Sequence, residues 1–324
     1  MDSRKRSLLR LVALVMCLMS LAMATSVAAG RADDRSPAFP PSSHPAQRSG
    51  KPANGVVKPS ELPWGGRTLL AGNRLVALYG TPGEPALGVL GEQPLDASLQ
   101  RARELAASYQ PHTQDRVIPT LEIIASVASS SPTANGDYSA EIDADRLRPW
   151  VEAAGKAGMY VVLDLQPGRS DFLIQAKAYE SLLKLPHVGL ALDPEWRVNA
   201  DQVPLGVIGS VGIDEVNATA GWLAGLVKAG KLPQKLFLVH QFRLDMVRDR
   251  ERLDMAHGEQ LAYMIQMDGH GSQAQKSDTW NVLRTGAPAG ISFGWKNFYD
   301  EDSPMLTPQQ TVMLSPSPAY VSYQ

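Results

Sequence analysis

Carboxylates recur along this 324-residue chain just as short apolar runs come to an end. Asp164 and Gln166 close "MYVVLDLQ", Asp193 and Glu195 close "HVGLALDPE", and Gln266 and Asp268 close "LAYMIQMD". Side chains two apart on an extended strand share a face, so each pair points one way. Tyr79, Glu122, His240 with Gln241, and Trp295 with Lys296 stand late in four more such runs. Glycosidic cleavage needs one carboxylic acid that carries a proton and a second that stays ionised. Glu195, Asp193, Asp164 and Asp268 are the candidates. Asp164 and Glu195 belong to consecutive predicted strands, which pair about 4.8 Å apart, and Asp268 is the alternative partner from across the opening. Tyr79, Glu122, Gln166, Trp196, His240, Gln241, Gln266, Trp295 and Lys296 are candidates for holding substrate. Trp196, Trp295, Phe298 and Tyr299 offer rings on which the apolar face of a sugar could stack.

Other chemistries find less support. Asp268 and His270 could give two metal ligands, but spacing fixes no third. No G-x-S-x-G elbow is present for Ser/His/Asp catalysis. The series Gly206, Gly209, Gly212 is a weak nucleotide signal and reads better as a tight turn into a helix. No metal and no cofactor is expected.

These residues need a scaffold that gathers strand ends. Eight β-rich runs are predicted, at 74–79, 117–124, 159–166, 187–193, 205–211, 235–242, 261–267 and 289–295. Amphipathic stretches at 95–110, 143–158, 171–185, 213–230 and 272–286 read as helices between them. Apolar strands alternating with helices imply a parallel sheet covered on its outer face. Eight repeats over about 250 residues is the size of a (β/α)8 TIM-type barrel, whose C-terminal strand ends form the active-site mouth. After residue 193 comes "PEWRVNADQVP", so the fourth helix is expected to be replaced by a long loop.

The stretch "VGLALDPEW", 188–196, resembles the fourth-strand motif of family 18 glycoside hydrolases, the chitinase type: D-G-hydrophobic-D-hydrophobic-D-x-E. Gly189, Leu190, Leu192, Asp193 and Glu195 match it, while Val188 and Ala191 stand where the family has its two earlier aspartates. "GISFGW" is similar to that family's last strand, which would make Trp295 the floor of the sugar site. The resemblance implies Glu195 as general acid and Asp193 as the residue that orients an acetamido group. Independently of it, crowding of the two acids predicts a raised pKa for Glu195 and an ionised Asp193.

The ends of the chain and its composition set the setting. Residues 1–29 read as a secretory signal peptide: a basic start (Arg4, Lys5, Arg6, Arg10), an apolar run, then small residues around Val27-Ala28-Ala29. A retained membrane anchor is the rival. Cys17, the single cysteine, lies inside this segment, so a cleaved chain would hold no disulfide or thiol nucleophile. Residues 30–68, rich in Pro, Ser, Gly and Ala, read as a flexible linker, leaving 69–324 as the barrel domain. With Lys+Arg 31 against Asp+Glu 33, no basic footprint points to nucleic acid. The expectation is a secreted glycoside hydrolase-like protein acting on a polysaccharide or cell-wall glycan. The alternative is a degenerate barrel that binds carbohydrate without cutting it.

Overall fold

The computed structural model describes residues 59–324; the expected signal peptide and most of the expected linker lie outside the described residues. Eight parallel strands form the barrel: β1 (Asn73–Gly80), β2 (Arg116–Ala128), β3 (Tyr160–Leu165), β4 (Val188–Leu192), β5 (Lys235–Gln241), β6 (Leu261–Met267), β7 (Ser292–Asn297) and β8 (Tyr320–Tyr323). Each pairs with the next, and β1 pairs with both β2 and β8, which closes the sheet. The (β/α)8 expectation therefore holds.

Two details of the expectation are corrected. Residues 205–211 are not a barrel strand; only Val211–Gly212 is extended, and it pairs with Val247–Arg248 of the next loop. Their β-branched residues imitate a strand, but Pro204 and the left-handed Leu205 (φ 70°) belong to a loop. Gly209 must also lie against the Arg197 and Glu195 carbonyls, where any Cβ would collide. The eighth strand is the C-terminal "YVSY" instead.

The missing helix is also elsewhere. Helices are α1 (Leu95–Tyr109), α2 (Ala144–Lys156), α3 (Phe172–Ala178), α4 (Glu180–Leu183), α5 (Ile213–Gly230), α6 (Gln273–Arg284) and α7 (Pro308–Val312). The long loop after β4 is present, but it runs into α5, which serves that unit. Between β5 and β6 the described chain has no α-helix, only the 3-10 turns Leu244–Met246 and Arg250–Arg252 around the short extended pair Val247–Arg248.

Local chemistry explains the helix ends. Asp143 caps α2 by accepting from Asp145 N, and Gly158 leaves it with φ 76°. Ser272 and Gln275 form a reciprocal capping box on α6.

Inside the barrel, Leu75, Ala77, Ile118, Val162, Leu236, Leu238 and Met264 form one apolar cluster. Leu62 and Leu69, ahead of β1, are buried in the same cluster. Leu62 thus packs with the barrel although it falls in the stretch read as linker. Gly189 on β4 makes room for Tyr160: a Cβ there would stand 2.8 Å from the Tyr160 hydroxyl, which accepts from Leu236 N at 3.0 Å. Outside, Leu121, Leu163, Leu190 and Phe237 pack with Leu147, Leu182 and Leu223 of the helices. Both strand faces are buried, as parallel sheets require.

Candidate active site

Above the apolar layer the interior positions turn polar. Tyr79, Glu122, Asp164, Asp193, His240, Gln266 and Lys296 come from seven different strands or strand ends, and all are buried. Hydrogen bonds and ion pairs link most of them in short chains. Tyr79 Oη donates to Asp164 Oδ2 at 3.0 Å, and Gln166 Nε2 reaches Tyr79 Oη at 3.5 Å. His240 Nε2 lies 2.9 Å from Glu122 Oε1 and 3.8 Å from Asp164 Oδ1. Its Nδ1 is 3.0 Å from Asp268 Oδ2, although the N–H is not aimed along that line. Lys296 Nζ is 3.0 Å from Asp268 Oδ1 and 3.6 Å from the Tyr79 ring centroid, a close cation–π contact.

Two further members were not foreseen. Tyr320 Oη donates to Glu122 Oε2 at 2.9 Å, and Ser322 Oγ accepts from Gln266 Nε2 at 2.9 Å. Both sit on β8, and the alternation Tyr-x-Ser-x was the available signal. Gln266 is packed against Gly294, where a Cβ would collide with its Oε1.

Glu195 arrives by a different route from the rest. Strand β4 ends at Leu192, and Pro194–Trp196 form one 3-10 turn. Asp193 caps it, its Oδ1 accepting from Glu195 N at 3.3 Å, and Gly209 N donates to Glu195 O at 2.6 Å. Glu195 is half-buried, and its carboxyl lies within electrostatic reach of Asp268, Lys296 and His240.

The acids of this site do not share one charge state. Burial and then the Asp268 charge raise Glu195 to about 7, with Lys296 and His240 pulling the other way. Burial also raises Asp164, to about 6. For Asp268 burial acts upward, but Lys296 and His240 together outweigh it and hold the group at about 2. His240 is the reverse: burial opposes its charge, and Glu122, Asp164 and Asp268 hold it protonated well above the ordinary histidine range. Burial beside Asp164 pushes Asp193 far up, because its single donor, Glu195 N, is too little to stabilise an anion. The expectation of an ionised Asp193 is corrected in direction: burial and Asp164 push its carboxyl upward, towards the protonated form, whereas Asp268 is held low.

Three aromatic or polar candidates leave the mouth. Trp295 is buried in the outer layer with Trp280 (ring centroids 5.7 Å apart) and Val321, its Nε1 bonded to Asn297 Oδ1. It cannot floor a sugar site. Gln241 also faces outward, where its Oε1 accepts from Arg250 Nη1 at 3.2 Å. Tyr299 stacks on Tyr323 and carries Arg101 above its ring. Trp196 stays half-buried in the Glu195 turn, and Phe298 packs beside Lys296 and His270. Among the described residues no group of three His, Cys, Asp or Glu is placed to hold a metal ion, so Asp268 and His270 find no third ligand.

No protein-family description matches the chain, and no curated protein matches it in sequence. Among solved structures it is similar to an oxaloacetate acetylhydrolase in complex with oxalate: 12% identity, 77% of this chain and 75% of that one, TM-score 0.44. It is also similar to dihydropteroate synthase from Xanthomonas albilineans (11%, 78% and 88%, TM-score 0.36). A maltogenic α-amylase from Thermotoga neapolitana gives 10%, 71% and 60%, with TM-score 0.36. None of these likenesses is close enough to say more than that barrels resemble barrels, and none ties the chain to the chitinase-type family.

Proposed function

We propose that this barrel hydrolyses a glycosidic bond, with Glu195 as the general acid. One observation carries the reading: Glu195 is a half-exposed acid within electrostatic reach of a buried, fixed carboxylate, Asp268. A group with a pKa of about 7 still carries its proton near neutral pH and can pass it to the leaving oxygen as the bond to the anomeric carbon breaks. Water then adds to that carbon and its proton returns to the Glu195 carboxylate, which completes the hydrolysis. Asp268 is too acidic to be an effective proton acceptor. Its ionised carboxylate suits the positive charge that develops at the anomeric carbon. Trp196 would stack on the sugar. The reading includes export, which rests on the sequence of residues 1–29 alone.

The test is Glu195→Gln, which keeps size and polarity but has no proton to give. Incubation with a glycan library and a reducing-end assay should show new ends with the native protein and none with the variant. A variant as active as the native protein would remove Glu195 from the role.

A second reading has its own observation. The side chain of Asp268 is 7% exposed and already engaged by both Lys296 and His240, which favours a barrel that holds a glycan without cutting it. Retention on insoluble polymers with no new reducing ends would decide for that reading.

A further inference from the structure

The site rests on a further buried ion pair that the chemistry above does not use. Lys276 of α6 and Asp302 of the loop after β7 are in direct contact, their side chains 3% and 1% exposed. The pair's other bonds tie helix α6 to strand β7, the loop after β6 to the loop after β7, and the latter loop to itself. Lys276 Nζ donates to the backbone oxygen of Lys296 at 2.7 Å. Asp302 Oδ1 accepts from Gly271 N at 3.1 Å, three residues after Asp268, and its Oδ2 accepts from Phe298 N at 3.0 Å, two residues after Lys296. Ser303 N adds a bond to Gly271 O at 3.3 Å.

Desolvating two charges offsets most of their attraction, and apolar residues of similar volume often stabilise a core as well or better. Stability is therefore a weak reason for placing a Lys–Asp pair here, whereas the loop-to-loop bonds need both charges. Lys276 Nζ also lies 4.8 Å from the Trp295 ring centroid, so its position is fixed on a third side.

We propose that Lys276 and Asp302 are positioning residues, which hold the loops after β6 and β7 at the separation where Lys296 Nζ reaches Asp268. Neither touches the reacting atoms. Asp302 acts through the Lys296–Asp268 contact, while Lys276 also lies within direct electrostatic reach of Asp268. A rise of the Asp268 midpoint in Asp302→Asn, which removes only a negative charge, is therefore the reading that positioning alone explains. The inference rests on the glycosidase reading only for its kinetic consequence, a fall in kcat with little change in KM.

The experiment is carbon-13 NMR titration of the Asp268 carboxyl in the native protein and in the double variant Lys276→Met/Asp302→Leu, with circular dichroism to confirm folding. Losing an opposite charge at contact distance should raise the Asp268 midpoint by about one pH unit or more. A folded variant whose Asp268 titrates as in the native protein overturns the proposal. Should the double variant fail to fold, the isosteric Asp302→Asn is read by the same titration, and the same two outcomes apply. The titration needs no substrate. A shifted Asp268 in a protein that cleaves no glycan would sink the glycosidase reading and leave the positioning role standing; an unshifted Asp268 in an active enzyme would do the opposite.

Discussion

His240 Nε2 and Glu122 Oε1 meet at 2.9 Å across the barrel interior, from β5 and β2, with neither side chain exposed. Burial alone would discharge the imidazole; Glu122 is the largest of the influences that keep it charged. Glu122→Gln should therefore move the His240 midpoint downward, measured from its ring resonances by NMR. Breaking one side of a buried pair also costs about 3–5 kcal/mol, which urea denaturation would read. An unmoved His240 midpoint would show that the imidazolium owes its charge to Asp164 and Asp268 instead.

Glu195 and its two neighbouring acids give a discriminating pair of variants. Asp268 is held ionised and is the charge that raises Glu195, whereas Asp193, itself pushed upward by burial, is not among the charges acting on it. Asp268→Asn should lower the Glu195 midpoint towards the ordinary glutamate value of about 4.3, while Asp193→Asn should leave it near where it is. NMR titration of Glu195 in the three proteins distinguishes the two. In activity, kcat/KM should fall about tenfold per pH unit above about 7, as Glu195 loses its proton. A profile that stays flat through pH 9 would mean that another group supplies the proton.

The barrel was legible because seven apolar runs with turn signals between them fall where seven of its strands lie. The eighth was hidden for a physical reason. Four residues, Tyr320–Tyr323, following "SPSPA", are too short to show a period, while "LGVIGSV" has strand composition without strand geometry. The site was legible as strand ends but not as side-chain directions. His240 and Gln241, or Trp295 and Lys296, are adjacent, so only one of each pair can face the interior. Sequence could not say which, since both faces of a parallel barrel are buried and both carry apolar residues. The charge order of the acids was illegible too: it depends on Lys296 reaching Asp268, a contact made by two strands that no spacing links.

That ambiguity at the seventh strand has a measurable consequence. Trp295 packs in the outer layer, so Trp295→Ala should cost about 3–5 kcal/mol of stability through the cavity it leaves and should not change glycan affinity. Trp196→Ala should do the reverse, leaving the urea midpoint nearly unchanged and weakening binding to whichever glycan the library identifies. Equal losses of affinity in both variants would return Trp295 to the sugar site.

Lys235, at the opposite end of β5 from His240, carries the clearest pH signature in the fold. Its Nζ donates to the carbonyls of Leu185 and Val188, each at 2.7 Å, and no carboxylate offsets its burial. Burial lowers its pKa from 10.5 to about 7. Below pH 7 the lysine is charged in both folded and unfolded chains, and the cost of burying that charge is fully present. Between about 7 and about 10.4, the unfolded value, the unfolded chain binds more protons than the folded one, so stability rises with pH. The slope from this one group is at most about 1.4 kcal/mol per pH unit. Glu195, raised to about 7, acts with the opposite sign below this window, and the buried tyrosines, raised above 10, act with the opposite sign beyond its upper end, so the group is isolated by difference. Urea denaturation of the native protein and of Lys235→Met at pH 7 and pH 9.5 does this. The native protein should gain stability relative to the variant as the pH rises. A pH dependence identical in the two would show that Lys235 keeps its proton throughout, and that the two carbonyls are enough to hold the ammonium.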